Sequence, residues 1–371
     1  MPNILTGRRL LIIAILTVLL GIDACKQNET TSPDSTFPLK ANHNANSAYV
    51  ATYLVADTAG YGAARIDMNL RNAWGISIGS TGIFWLSANG TGLSTVYDLH
   101  GDQVRVPVTI PSRTTETGGA PTGNIFNPTS DFKLPSGAAS RFIFAGEDGI
   151  IAAWGGGGAA VRVAMSTTDQ AVYKGIAMAS TGGNNYLYVT NFREAKIDVY
   201  DKNFALVTTM PFTDPAMPAG YGPFGIANIG GKLFVTYALQ KAPENKDDDA
   251  GPGHGFVDVY NADGTFVMRF ASQGTLNSPW GIAMSRPGFG RYMNSILIGN
   301  FGDGTISAFD DGGNYLGQLG DKDGNALVID GLWGIMFTDP SGAPDTDPNR
   351  LYFTAGPDGE EHGTFGYIQH K

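Results

Sequence analysis

Six four-stranded antiparallel sheets set radially around an axis, an all-β six-bladed β-propeller, is the fold that three features of this 371-residue sequence predict. The composition suits short strands joined by tight turns, a Gly-Ile step recurs about every 50 residues, and each recurrence opens the same succession of strand-like segments. Glycine contributes 51 residues, proline 20 and aromatics 11%, while charged residues are 16% against roughly 25% in an average globular protein. A hydrophobic share of 42% supplies a large core and excludes disorder of the whole chain. The glycines lack the period of three that a collagen needs. A net charge of −10, with no basic block beyond Arg8-Arg9, argues against a protein that tracks nucleic-acid phosphates.

The first residues read as an address. Arg8 and Arg9 precede an apolar run from Leu10 to Gly21, too short for a helix across a ~30 Å hydrocarbon core and of the size of a signal-peptide core. The run leads to Ile22-Asp23-Ala24-Cys25, which resembles a bacterial lipobox, and Cys25 is the single cysteine of the chain. The expectation is a lipoprotein signal over 1–24 with lipidation at Cys25, a polar tether over 25–48, and one propeller over 49–371. An ordinary secretory signal with an incidental cysteine is the alternative. Lipid anchorage in a bacterial cell envelope, leaning to the outer membrane because Lys26 follows Cys25, goes with the first reading. With no second cysteine, an intramolecular disulfide is excluded and packing must stabilise the domain.

The repeat is carried by Trp74-Gly75-Ile76-Ser77, Lys174-Gly175-Ile176-Ala177, Phe224-Gly225-Ile226-Ala227, Trp280-Gly281-Ile282-Ala283 and Trp333-Gly334-Ile335-Met336. The interval between Gly75 and Gly175 is twice the others, and Asn127 to Phe132 is taken as the degenerate copy within it. A second apolar strand follows each copy, as in Tyr186-Leu187-Tyr188-Val189-Thr190 and Lys232-Leu233-Phe234-Val235-Thr236. A third follows, as in Ile197-Asp198-Val199-Tyr200 and Val257-Asp258-Val259-Tyr260, then a turn and a fourth such as Thr265 to Phe270. Glycine in the first strand of each unit lets neighbouring units approach near the axis. The last unit ends after its third strand, Gly363 to Gln369, and Tyr49 to Val55 is the segment left to supply the fourth. Such closure would pair an edge that otherwise templates association.

Gly255-Phe256-Val257-Asp258-Val259-Tyr260, Leu276-Asn277-Ser278-Pro279-Trp280-Gly281, Gly299-Asn300-Phe301-Gly302-Asp303-Gly304, Asp330-Gly331-Leu332-Trp333 and Tyr352-Phe353-Thr354-Ala355-Gly356 resemble a family of exported, uncharacterised bacterial propellers. The likeness runs from about Tyr53 to Ile368 and extends distantly to NHL-repeat propellers. Many members are associated with a C-terminal sorting segment; in this chain the lipobox-like Cys25 is expected to serve as the anchor instead. The resemblance implies a fold and an address, and it brings no catalytic residue.

Loops joining second to third strands gather at one mouth of a propeller channel with those joining fourth strands to the next unit. The ends of the second strands offer Asn89, Glu147 with Asp148, Asn191, Tyr237, Asn300 and Asp358. Oxygen donors converging from separate blades are what Ca²⁺ requires, so Glu147, Asn191 and Asn300 are candidate metal ligands for a lactonase-like hydrolase or lyase. Asn and Asp at such sites also serve as ordinary turn residues. The connection from Ala238 to Gly255 is long and carries Glu244, Asp247-Asp248-Asp249 and His254, suiting a lid, a cation site or an exposed excursion. Asn89, Tyr237, Asp248, His254 and Asp358 are therefore candidate ligand-binding residues.

Several formal motifs fail on context. Gly75-Ile76-Ser77-Ile78-Gly79 matches a nucleophile elbow but lies inside a repeat strand rather than a strand–turn–helix. Asp321 to Asn325 begins like a calcium loop, yet Ala326 and Leu332 stand where Gly and Glu are needed. The five histidines have no zinc-hydrolase spacing. The leading expectation is a monomeric binding module for a small ligand or an envelope protein, with no nucleic-acid partner. The metal-dependent hydrolase is the alternative, and whether the chain is catalytic stays open.

Overall fold

A computed structural model describes residues 48–339 and 347–371; the leader, Cys25 and nearly all of the expected tether lie outside the described residues. Blade 1 runs Ala73–Ile78, Phe84–Ala88, Leu93–Tyr97 and Val108–Thr109 from axis to rim, and the next four blades repeat that order. They start at Pro121–Phe126, Tyr173–Thr181, Tyr221–Ile229 and Pro279–Met284. Blade 6 comprises Leu332–Phe337, Leu351–Ala355 and Thr364–His370, and its fourth strand is Tyr49–Ala56 from the other end of the domain. That closing strand pairs antiparallel from Tyr49↔His370 to Ala56↔Thr364, and Arg65–Ile66 adds a short parallel edge outside it. The described residues thus form a six-bladed propeller, and their helical elements are three single 3₁₀ turns.

One copy of the repeat sits a few residues earlier than expected. The inner strand of blade 2 is Pro121–Phe126, so Gly123 is the missing glycine, and Asn127 to Phe132 forms the turn and loop that follow it. Asn127 serves that loop, its amide donating to the carbonyls of Asp131 and Ser140. The signal was hidden because Asn124 replaces the isoleucine that follows the glycine in every other copy.

The ring is closed by backbone proximity. A Cβ on Gly75 would lie 2.4 Å from the carbonyl oxygen of Thr122, and one on Gly123 or Gly175 would lie 2.9 Å from the amide of Ile176 or Ile226. One on Gly225, Gly281 or Gly334 would lie 2.0 Å, 2.6 Å and 2.9 Å from the carbonyls of Trp280, Trp333 and Trp74. Second-strand threonines reinforce these contacts. Thr190 Oγ1 accepts from Gly175 N and donates to the Phe224 carbonyl, and Thr354 Oγ1 accepts from Gly334 N and donates to the Trp74 carbonyl.

Both faces of each blade are covered by neighbours, so the inner strands are near-continuously apolar rather than alternating. Six apolar clusters lie between successive blades, and the one between blades 6 and 1 packs Val55, Phe84, Tyr352 and Phe365. A seventh, aromatic cluster lies at the axis.

Candidate functional site

The residue before each ring glycine decides what fills one end of the channel. These residues are Trp74, Thr122, Lys174, Phe224, Trp280 and Trp333. Trp74 and Trp333 stack at 3.5 Å between centroids, Trp280 meets both edge-on, and Phe301 stacks on Trp333 at 3.9 Å. Lys174 is the charged member of this ring. It is 3% exposed, and its ammonium lies 4.6 Å from the centroid of the Trp74 ring and 6.0 Å from that of Phe224.

Carboxylates gather around that ammonium. Lys174 Nζ donates to Glu147 Oε1 at 2.7 Å, and Glu147 Oε2 accepts from Asn89 Nδ2 at 3.1 Å. Asn72 Nδ2 reaches Asn89 Oδ1 at 3.5 Å and Glu360 Oε2 at 3.3 Å, while Asn72 Oδ1 accepts from Trp74 Nε1 at 2.9 Å. Burial disfavours ionisation of both Glu147 and Lys174, yet their mutual attraction overrides it. Glu147 therefore sits below, and Lys174 above, its ordinary range. Glu360 is pushed up to about 7, first by burial and then by the nearby Glu147 and Asp248 charges, against the pull of Lys174. Asp248 is raised chiefly by burial, with Ser278 and Lys174 opposing.

Asp248 reaches this cluster because the long loop of blade 4 folds over the channel mouth. The loop spans 240–254, between Lys232–Leu239 and Gly255–Asn261. Its stem is pinned by Lys241 N to Asp247 O and Asp249 N to Leu239 O, both 2.8 Å. Gln240 Nε2 donates to the Phe192 carbonyl of blade 3, and Gly251 N donates to Asn277 Oδ1 at 2.7 Å, ahead of blade 5. The loop is an ordered cover tied to both neighbouring blades.

Asn89, Glu147 and Asp248 thus share one neighbourhood, and the other sequence-derived candidates occupy different places. Tyr237 is buried within blade 4, its hydroxyl 2.9 Å from that of Tyr260. His254 is half-buried, its Nδ1 2.7 Å from the Asp249 carbonyl oxygen. Asp358 takes a left-handed conformation (φ 57°) on the surface, its N–H donating to Asp330 Oδ2, and the turn it makes directs Glu360 into the cluster. Asp148 parts from Glu147, accepting from the backbone N–H of Arg113.

The donors do not fit a calcium ion. Asn191 is fully buried, donates to Glu194 Oε2 and Asp198 Oδ2, and has its Oδ1 facing the backbone N–H groups of Val172 and Glu194. Asn300 is likewise enclosed, donating to the Thr275 carbonyl and Thr305 Oγ1 and accepting from Asn277 N. Each amide serves the turn beside it, and Glu147 faces an ammonium. Among the described residues, no three His, Cys, Asp or Glu side chains are arranged to hold a metal ion. Asp321, likewise, accepts from the backbone N–H groups of Asp323 and Asn325 at 2.9 Å and makes a simple turn.

Lys174, Asn72 and Glu360 escaped the reading of the sequence. Lys174 carried a signal, since it replaces the aromatic residue that four other copies place before the glycine. Asn72 and Glu360 carried none, because they meet only when the ring closes.

Beneath the aromatic cluster, the channel continues as a cavity of about 420 Å³ whose lining includes Trp280 and reaches exposed Pro128 and Asn228 at the opposite mouth. Its wall is built by the ring glycines and the residues that follow them.

No family model matches the chain. Among solved structures, it is similar to a protein of unknown function from Bacteroides thetaiotaomicron, with TM-score 0.55 and 11% identity over 87% of this chain and 76% of that one. It is also similar to a gluconolactonase from Xanthomonas campestris, with TM-score 0.50 and 12% identity over 91% of this chain and 97% of that one. At such identity the likeness shows the fold alone. Uncharacterized protein R648 of Acanthamoeba polyphaga mimivirus is 33% identical over 85% of this chain and 79% of its own length. Uncharacterized protein L690 of the same virus is 34% identical over 82% of each. These relatives are viral, where the sequence motifs had resembled bacterial exported proteins. The chain belongs to the same family as these two mimivirus proteins.

Proposed function

We propose that this propeller is a binding module whose covered channel mouth takes a positively charged group, an amine or guanidinium of a small molecule or a peptide partner. The observation that carries this reading is the charge balance under the blade 4 loop. Glu147, Glu360 and Asp248 share a single buried ammonium, and Glu147 alone holds it by a direct hydrogen bond. Glu360 and Asp248 are left undercompensated, which a ligand cation would relieve. An overall charge of −10 adds long-range attraction for such a ligand.

Calorimetric titration with spermidine and with a Lys/Arg-rich peptide tests the proposal. Saturable binding that weakens with salt and falls about tenfold or more in Asp248→Asn is expected. No saturable binding to a folded protein, or binding indifferent to Asp248→Asn, would sink it. The lactonase-like reading has a gluconolactonase among its fold neighbours, but its donor set is occupied as described and no observation on this chain favours it over binding.

The address is proposed on the sequence alone: a lipid on Cys25 tethers the domain to a membrane of the cell envelope. Mass spectrometry of the mature N-terminus decides this, and an unmodified or internal Cys25 would refute it.

A further inference from the structure

We infer that Lys174, Glu147 and Asn89 are the reacting groups of a self-catalysed cross-link, in which the lysine amine displaces ammonia from the asparagine side chain and leaves an isopeptide bond between blades 3 and 1. The inference does not rest on the cation reading. The bond would remove the ammonium that Glu147 holds and leave the covered mouth more acidic still.

The geometry that carries this is one carboxyl group shared by an amine and a primary amide. Glu147 Oε1 accepts from Lys174 Nζ at 2.7 Å, and Glu147 Oε2 accepts from Asn89 Nδ2 at 3.1 Å. One carboxyl can therefore take a proton from the attacking nitrogen on one oxygen and deliver a proton to the leaving nitrogen from the other. The lysine is 3% exposed and its ammonium lies against the faces of Trp74 and Phe224, so water is kept from the nucleophile. Burial is the largest single influence on Lys174 and on Glu147 and opposes the charge of each, so passing a proton along their hydrogen bond relieves two desolvation costs at once. Asn89 is half-buried at the start of a 3₁₀ turn, its backbone N–H held by the Asn72 carbonyl at 2.9 Å. Its Oδ1 faces Asn72 Nδ2 at 3.5 Å, a donor on the side where the carbonyl oxygen gathers charge. Asn72 is no rival target, because its own amide is engaged by Trp74 Nε1 and Glu360 rather than by Glu147.

The step balances without an oxidant or a co-reactant. Glu147 takes a proton from Lys174, the Asn89 amide turns its Cγ to the neutral amine, and the Nζ–Cγ bond forms as the carbonyl electron pair moves onto Oδ1. Collapse of that intermediate breaks the Cγ–Nδ2 bond. The two protons shed by Nζ reach the departing nitrogen by way of Glu147, which leaves as ammonium and returns Glu147 to a carboxylate. The Glu147 side chain is 31% exposed, which gives the ammonium a path to the mouth. Groups fixed in contact by a fold react with effective molarities that reach ~10⁵–10⁸ M, which is what an otherwise sluggish displacement needs. The product would tie the second strand of blade 1 to the inner strand of blade 3 across the mouth, in a chain whose single cysteine denies it an internal disulfide.

The test is mass spectrometry of a tryptic digest of the folded full-length chain. Expected is a joined species in which Val163 to Arg193, uncut at Lys174, is attached to Asn72 to Arg105 with the loss of one ammonia, and fragmentation places the bond at Asn89. Glu147→Gln should reduce the joined species at least a hundredfold. Should that variant fail to fold, Asn89→Ala, at a half-buried turn, should abolish it. The exposed contact of Lys232 with Asn261, which shares no carboxylate among the described residues, should stay unjoined and be cut normally. Complete cleavage at Lys174 in the folded wild type would overturn the inference. So would a bond that persists undiminished in folded Glu147→Gln or that fragmentation places at Asn72.

Discussion

Replacing Glu360 by Gln should remove a defined part of the pH dependence of stability. In the folded protein, burial and the Glu147 and Asp248 charges hold the Glu360 carboxyl at about 7, against 4.5 for a free glutamate. The native state therefore binds more protons than the unfolded chain between those values, so the free energy of unfolding falls as pH rises. The stabilisation is complete below about 4.5 and lost above about 7. At about 1.4 kcal/mol per pH unit the interval has a ceiling of ~3 kcal/mol, and ~2 kcal/mol is expected once partial exposure is discounted. Gln is neutral throughout and keeps the amide and carbonyl needed to meet Asn72. Urea unfolding of both proteins at pH 4.5, 6 and 8 gives the readout. The variant should match wild type at pH 4.5 and exceed it by ~2 kcal/mol at pH 8. Asp258, raised to about 6 by burial against the pull of Arg269, tilts both curves alike and cancels in the difference. A difference that stays constant from pH 4.5 to 8, or a variant less stable at pH 8, would refute the account of the cluster.

Two further outcomes probe the ring and the enclosed amides. Gly225→Ala places a methyl 2.0 Å from the Trp280 carbonyl and should cost about 3 kcal/mol or prevent folding; Gly60→Ala, with nothing within 4 Å, should leave the thermal midpoint unchanged. Asn300→Ala removes three hydrogen bonds from a fully buried site and should cost ~2 kcal/mol, while EDTA should shift the midpoint of neither wild type nor variant. A shift with EDTA in wild type alone would return Asn300 to the role of a metal ligand.

The blade count, the order of strands within a blade, and closure by Tyr49–Ala56 were legible in the sequence because each is a local periodicity or an unpaired edge that it must satisfy. Blade 2 was misplaced by a few residues where Asn124 interrupts the Gly-Ile step, and that same asparagine turned out to line the cavity. The site was legible in part. Asn89, Glu147 and Asp248 follow from reading strand ends and the long loop, since connection length and position are sequence properties.

What those residues do was decided by tertiary structure. Asn191 and Asn300 look like Asn89 in the sequence, but the neighbouring turns consume their amides, and hydrogen-bond satisfaction is a property of the folded surroundings. Lys174 differs from its counterparts in the sequence, yet its partners come from blade 2, the blade 4 loop and the last turn of blade 6. Local periodicity therefore determined the architecture. The electrostatics of the covered mouth arose only when ring closure brought distant segments within a few ångströms, where burial sets the cost of every charge and every unmet hydrogen bond.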